Sequence, residues 1–325
     1  MTADAALIAA RRDRVLAAMA ERDIDVLVLG RQDDANYASG MHRLWTAGTR
    51  PFGAGCLVVR ETGRTHVLSG WDAGLPPTMT WDDLYPSTWN PRVMAANLAA
   101  IPGLADAKRI GTDEVSPSFR RAAGRLAPDA EVVPADDLMA AVRRHKLPAE
   151  IDRIRAACGV VWEGVLAIAR HGAGTDEQLI GAAVLAMGRL GATIPSSAPI
   201  VRRSGADTVV DLGMIVDGYE GGLGAVISTH LATGDEARPQ PLHLANVCQP
   251  GATGAALAAA AEHPGWLVRG VGMGFELPVI DETHGHAEIL EPDMVLSVSD
   301  GDRREIVHIT DRGPALLSGP PEEAS

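Results

Sequence analysis

A chain of 325 residues with 46% apolar content is long enough for two domains of ordinary size and too hydrophobic to be disordered. Its net charge of −13, with no basic run to offset it, argues against nucleic acid or an anionic membrane surface as a partner. Cys56, Cys158 and Cys248 are too few and too scattered for a disulfide framework and fit a reducing cytoplasm, no stretch approaches the roughly 18–20 apolar residues of a membrane span, and the apolar run in MTADAALIAARRDR is too short for a secretory core. Residues 3–21 then predict an amphipathic helix, with Ile8, Val15, Leu16 and Met19 on one stripe. Asp25–Gly30 is a nearly continuous apolar run, the pattern of a strand buried on both faces. Strands at Gly55–Arg60 and Thr65–Ser69 flank a Gly-containing loop and read as an antiparallel hairpin.

Residues 71–91 carry Trp71, Trp81, Tyr85 and Trp89 among four prolines, in a chain otherwise poor in aromatics. They form either a loop pinned over a sheet by Trp burial or the rim of an interface or pocket. A helix at 92–101, a strand at Arg109–Glu114, a helix from about 117, a strand near Val132-Val133 and a helix from Asp136 complete an α/β alternation. Leu147-Pro148 marks a boundary, because a pre-proline residue disfavours helix and Pro148 suits the first turn of a new one. Residues 1–146 and 147–325 are therefore the expected domains.

The second half opens with a helix whose apolar positions are Ile151, Ile154, Cys158, Val161, Val165 and Ile168. Another helix follows over about 175–190, with Thr175 as its cap and Gln178 three positions on. Asp207–Gly222, DTVVDLGMIVDGYEGG, predicts two strands meeting at Asp217-Gly218. An Ala-rich helix at 254–262, a Gly-rich strand at 267–279, and strands at Met294–Val298 and Glu305–Thr310 close the chain before a frayed tail, SGPPEEAS.

Several segments together resemble the creatinase / aminopeptidase P / methionine aminopeptidase family, the pita-bread fold. "RDRVLAAMAERDIDVLVLG" with "NYASG" is similar to the start of its N-terminal domain, and "VRRHKLPAEIDRIRAA" to its interdomain connector. "PGATGAAL", "GVGMGFELP", "LEPDMVLSV" and "ITDRGPALLS" match in order and spacing. The resemblance implies an α/β N-terminal domain, an α+β pita-bread C-terminal domain and a homodimer in which the N-terminal domain helps to close the partner's cleft. In family members that are metallopeptidases, two Asp, one His and two Glu hold two divalent ions and activate a bridging water. Residue by residue, Asp211 matches the first Asp, while Gly222, Arg269 and Ser299 stand where the second Asp, the His and one Glu would be. Glu305 matches the last Glu, though its spacing to Ile309-Thr310 is one residue short, and the loop between Pro199 and Asp207 that carries a catalytic His in relatives is shortened.

So few ligands cannot hold a dinuclear site, and no cofactor or metal is expected. Arg269 introduces a permanent cation, which either pairs with Asp211 or Glu305, clamps a substrate carboxylate, or is an ordinary surface residue. The reading favoured here is metal-independent acid/base chemistry on a small amino-acid-like or guanidino-like substrate. Arg269, Ser299 and Glu220 would contact the substrate, and Glu276 with Asp211 or Glu305 would carry protons. Asp300 and Asp302 are further carboxylates, more in keeping with a solvated Asp-Gly-Asp turn, and His284-Gly285-His286 with its flanking acids reads as a loop. His230 and His243 flank the Gly234–Pro241 loop and could swing toward the cleft. Gly270-x-Gly272-x-Gly274 lacks the strand–turn–helix setting of a phosphate loop and suits close strand approach. A non-catalytic binding module and a metallopeptidase with displaced ligands are the alternatives.

Overall fold

A computed structural model describes residues 3–41, 55–69, 75–88, 90–113, 124–192, 194–205, 207–228 and 242–319. The chain divides into two compact units, Met1–Val142 and Arg143–Ser325. No helix among the described residues is long and apolar enough to cross a membrane.

The first unit begins with α1 (Ala3–Glu21), β1 (Val26–Leu29), α2 (Gln32–Ser39), β2 (Cys56–Val59) and β3 (Arg64–Ser69). It continues with β4 (Leu84–Pro86), α3 (Pro91–Ala99), β5 (Arg109–Thr112), β6 (Glu131–Pro134) and α4 (Asp136–Arg144). The sheet order is β4-β3-β2-β1-β5-β6. Every residue of β1 is buried, as its unbroken apolar run requires of a central strand. β2 and β3 pair antiparallel as their loop predicts, and β1–β5, β5–β6 and β3–β4 are parallel. Helix α2 is the element that the apolar pattern does not announce: NYASG is its last turn, closed by Gly40 in the left-handed region. Trp81 is 65% exposed. Trp71, Trp89 and the expected start of a helix near 117 lie outside the described residues.

The second unit contains α5 (Pro148–His171), α6 (Asp176–Arg189), β7 (Ile194–Pro195), β8 (Ile200–Ser204), β9 (Asp207–Val216) and β10 (Tyr219–Ser228). After these come α7 (His243–Val247), α8 (Gly254–Ala260), β11 (Leu267–Gly272), β12 (Gly274–Ile280), β13 (Val295–Asp300), β14 (Arg303–Thr310) and β15 (Gly313–Leu316). The sheet runs β12-β11-β13-β14-β10-β9-β7, with β8 also on β9 and β15 on β14. The β9–β10 hairpin turns at Asp217 (φ 49°) and Gly218 (φ 85°), the two positive angles that favour an Asp-Gly turn. Thr175 caps α6 by accepting from Gln178 N. The stretch expected as one strand over 267–279 is instead two antiparallel strands folded back at Met273, with Gly272 opposite Gly274.

Strand alternation assigns the two faces. Val210, Leu212 and Met214 of β9 and Leu223 and Ala225 of β10 pack with Val161, Val165 and Ile168 of α5. Farther along, Val268, Leu296, Val298 and Val307 pack with Leu244 and Leu257 of α7 and α8. The alternate residues of the same strands face away from these helices, and the chemistry-bearing side chains stand there.

Candidate functional site

The hairpin's polar face is cleared by glycine. Asp211 pairs with Gly224 and Gly213 with Gly222. A Cβ at Gly222 would lie 2.5 Å from Arg304 Nη1 and 2.9 Å from its Cζ, and one at Gly224 would lie 2.7 Å from Arg304 N. The missing side chains are what let the Arg304 guanidinium lie across the hairpin. Register then brings the neighbours onto this face: Ser299 stands opposite Arg304, and Arg269 opposite Ser297.

Four side chains form one alternating network. Arg304 donates from Nε and Nη2 to Asp211 Oδ1 at 2.8 and 2.5 Å, and from Nη2 to the Leu212 carbonyl at 2.8 Å. Its Nη1 lies 3.6 Å from Glu220 Oε1. Arg269 grips Glu220 with both arms, Nη2 to Oε1 at 2.6 Å and Nη1 to Oε2 at 3.0 Å, and also donates to the Gly270 carbonyl. The order Asp211–Arg304–Glu220–Arg269 places two cations against two anions. Glu220 and Arg304 are buried, while the Asp211 and Arg269 side chains keep 32% and 13% exposure, so the two ends remain accessible.

Of the residues singled out from sequence, Asp211, Glu220, Arg269 and Ser299 share this face. Arg269 pairs with Glu220 and not with Asp211 or Glu305. Glu305 does not join them: one position along β14 from Arg304, it faces the helices, where Oε1 accepts from Leu242 N at 3.1 Å. Burial pushes its carboxyl upward, only partly offset by that backbone bond and by Arg303. The residue that sequence reasoning missed is Arg304, and the one-residue shortfall before Ile309-Thr310 was the signal for it.

Glu276 is also elsewhere, buried in an ion cluster. Its Oε1 accepts from Arg143 Nη2 at 2.8 Å and from Met273 N at 2.9 Å, and its Oε2 accepts from Lys146 Nζ at 2.6 Å. Burial alone would raise its pKa, but the Arg143 and Lys146 charges overcome that and hold it at about 2. A carboxylate so held is a clamp between the connector and the β11–β12 bend. Asp300 is not a solvated turn residue: it is buried, its two oxygens accepting from Glu262 N and His263 N, and Gly301-Asp302 alone make the turn. Asp302 pairs with Arg202 on the surface. His284 bonds to Asp281 and Thr283 within its own loop. His243 is exposed at the start of α7, and His230 lies outside the described residues.

The donor set does not fit a dinuclear metal centre. The positions that the sequence compares with its ligands hold Asp211, Gly222, Arg269 and Ser299, and Arg304 rather than the expected Glu305 meets Asp211 on this face, so two of these five residues are cations. Among the described residues, the one group of three His, Cys, Asp or Glu close enough to share an ion is Glu262, His263 and Asp300, off this face and with Asp300 spent on backbone N–H groups.

Residues 11–145 match the model of the creatinase/prolidase N-terminal domain. A comparison with curated protein sequences gives no match. Among solved structures, the chain is similar to the prolidase from Pyrococcus horikoshii OT3 (TM-score 0.70, 16% identity, 97% of this chain and 99% of that one). It is also similar to the X-Pro aminopeptidase from Thermotoga maritima MSB8 (TM-score 0.71, 17% identity, 95% and 98% covered) and the Xaa-Pro dipeptidase from Bacillus anthracis (0.66, 17%, 97% and 99%). The chain thus opens with a creatinase/prolidase N-terminal domain and carries, over nearly its whole length, the fold of prolidases and aminopeptidase P: an α/β domain followed by a pita-bread domain.

Proposed function

We propose that this protein is a divergent, metal-free relative of the Xaa-Pro peptidases that binds a small amino-acid-like ligand without hydrolysing it. One observation carries the reading: Arg304 and Arg269 lie where ligands would be and have already taken the nearby carboxylates as partners. The accessible ends of the network match a zwitterion, with Asp211 facing an ammonium group and Arg269 a carboxylate. Acid/base catalysis is the weaker reading, since Glu276 is locked between two cations and Glu305 faces the helices. The fold favours a second reading, a peptidase like the prolidase and dipeptidase relatives.

The test is a single set of measurements on protein purified without chelator. Metal content, hydrolysis of Xaa-Pro dipeptides with and without added Mn²⁺ or Co²⁺, and calorimetric binding of the same dipeptides are measured together. The expected result is substoichiometric metal, no hydrolysis, and saturable binding weakened in Arg269→Ala. Stoichiometric metal with metal-dependent hydrolysis overturns the proposal in favour of the peptidase. Absence of binding removes the ligand assignment. The homodimer belongs to the same proposal, and light scattering of the eluted protein measures it.

A further inference from the structure

The first unit holds a partly open cavity of about 50 Å³ between α1, α2, β3 and the segment around Thr78, with Ile8, Arg12, Thr65, Thr78 and Met79 in its wall. Three polar atoms of that wall, Arg12 Nε, Thr65 Oγ1 and Thr78 Oγ1, are buried with no hydrogen-bond partner among the described residues. Thr65 is 6% exposed and its hydroxyl is buried. Buried donors are paired in native structures, and three unpaired ones around one space ask for an acceptor inside it. The wall's other polar groups are already committed. Ser39 Oγ donates to the Ala35 carbonyl and accepts from Met41 N, and Arg64 Nε donates to Asp83 at 2.9 Å. Asp83 also accepts from Thr80 N, and the Arg64 guanidinium balances its charge at 2.7 Å. With Arg64 and Asp83 paired, Arg12 leaves the cavity net positive; its side chain is 32% exposed, and among the described residues its salt-bridge contact is to Asp13, loose at 3.8 Å.

We infer that this cavity is a binding site for a compact carboxylate of about one to three carbons. Two oxygens with several lone pairs satisfy the Arg12 Nε–H and the two threonine hydroxyls together. A water-sized occupant needs about 10–15 Å³, so the volume holds roughly three to five heavy atoms. Ile8 and Met79 supply an apolar wall for a short alkyl end, which favours a carboxylate over a fully oxygenated anion such as phosphate.

The test uses the full chain with sodium acetate and sodium formate against sodium chloride at equal ionic strength. Thermal unfolding and the linewidth of ¹³C-labelled acetate are followed. Acetate should raise the unfolding temperature saturably and broaden its own resonance, with chloride inert, and Arg12→Gln or Thr65→Val should weaken binding by about tenfold or more. Equal responses to chloride, no response to either carboxylate, or stronger binding of inorganic phosphate than of acetate overturns the assignment. So does unchanged acetate binding in both folded variants. Should a variant fail to fold, the comparison of acetate with chloride on the unaltered chain still decides.

Discussion

Arg304 sits between two carboxylates, bonding Asp211 directly and lying 3.6 Å from Glu220. Truncating it removes the guanidinium that bonds Asp211, while Glu220 keeps Arg269. Breaking a largely buried ion pair from one side costs on the order of 3 kcal/mol, discounted here because Asp211 is 32% exposed. Arg304→Ala should therefore lose about 2–3 kcal/mol of stability by urea unfolding. The double variant Asp211→Ala/Arg304→Ala should be no worse than Arg304→Ala alone, since it removes the stranded anion as well. A single variant within about 0.5 kcal/mol of the unaltered chain would mean that the network is ornamental.

At the scale of elements, α5 and the hairpin are held by close backbone approach and by one shared acid. Glu150 accepts from Leu147 N at the start of α5 and from the Tyr219 hydroxyl at the start of β10. A Cβ at Gly221 would run into the backbone of Ala157 and Cys158, whereas one at Gly159 on the same helix would meet nothing within 4 Å. The two glycines should respond with opposite signs. Gly221→Ala forces helix and strand apart and should cost about 1–3 kcal/mol or more, while Gly159→Ala should gain about 0.5–1 kcal/mol from helix propensity. Denaturant midpoints compare them directly, and a destabilised Gly159→Ala would contradict the open space beside it. Most elements were legible from sequence because capping, turn chemistry and periodicity are local, as at Thr175, Asp217-Gly218 and Val26–Leu29. The fold-back at Met273 was not, since a Gly-rich apolar run reads the same whether straight or bent.

Across the whole molecule, two buried carboxyls, one in each unit, titrate in opposite senses. In the second unit, Glu276 is held at about 2, below its ordinary 4.5, so the unfolded chain binds the proton first. Its contribution is present above about 4.5 and lost as pH falls toward 2. In the first unit, burial raises Asp113 to about 7, against the lowering effect of bonds from Gly30 N and Arg31 N, and neighbouring Asp34 raises it further. There the folded state holds the proton. Stability is full below about 3.8 and declines as pH rises to about 7. Asp113→Asn cannot ionise, but its single oxygen can accept from only one of the Gly30 and Arg31 N–H groups, which bond to different oxygens of Asp113. Its stability relative to the unaltered chain should rise from pH 4 to 7 (about the window of the shift) and then level off. Glu276→Gln should be destabilised at neutral pH, with the Arg143 and Lys146 charges no longer met by the Glu276 carboxylate, yet show a flatter acid limb. Unfolding temperatures of the variants across pH check both, and parallel profiles would refute the assignments.

The amino-acid sequence by itself determined the order and type of most elements and the hairpin turn, and it put Gly222, Arg269 and Ser299 at the positions compared with the resembled family's ligands. Tertiary structure decided which of two adjacent residues, Arg304 or Glu305, meets Asp211, and it gave Arg269 to Glu220 and Glu276 to Arg143 and Lys146. The reason is physical. Side chains alternate across a strand, so a one-residue difference in register exchanges the site face for the helix face. Partners such as Glu220 and Arg269, or Arg143 and Glu276, are far apart along the chain and meet only through that register.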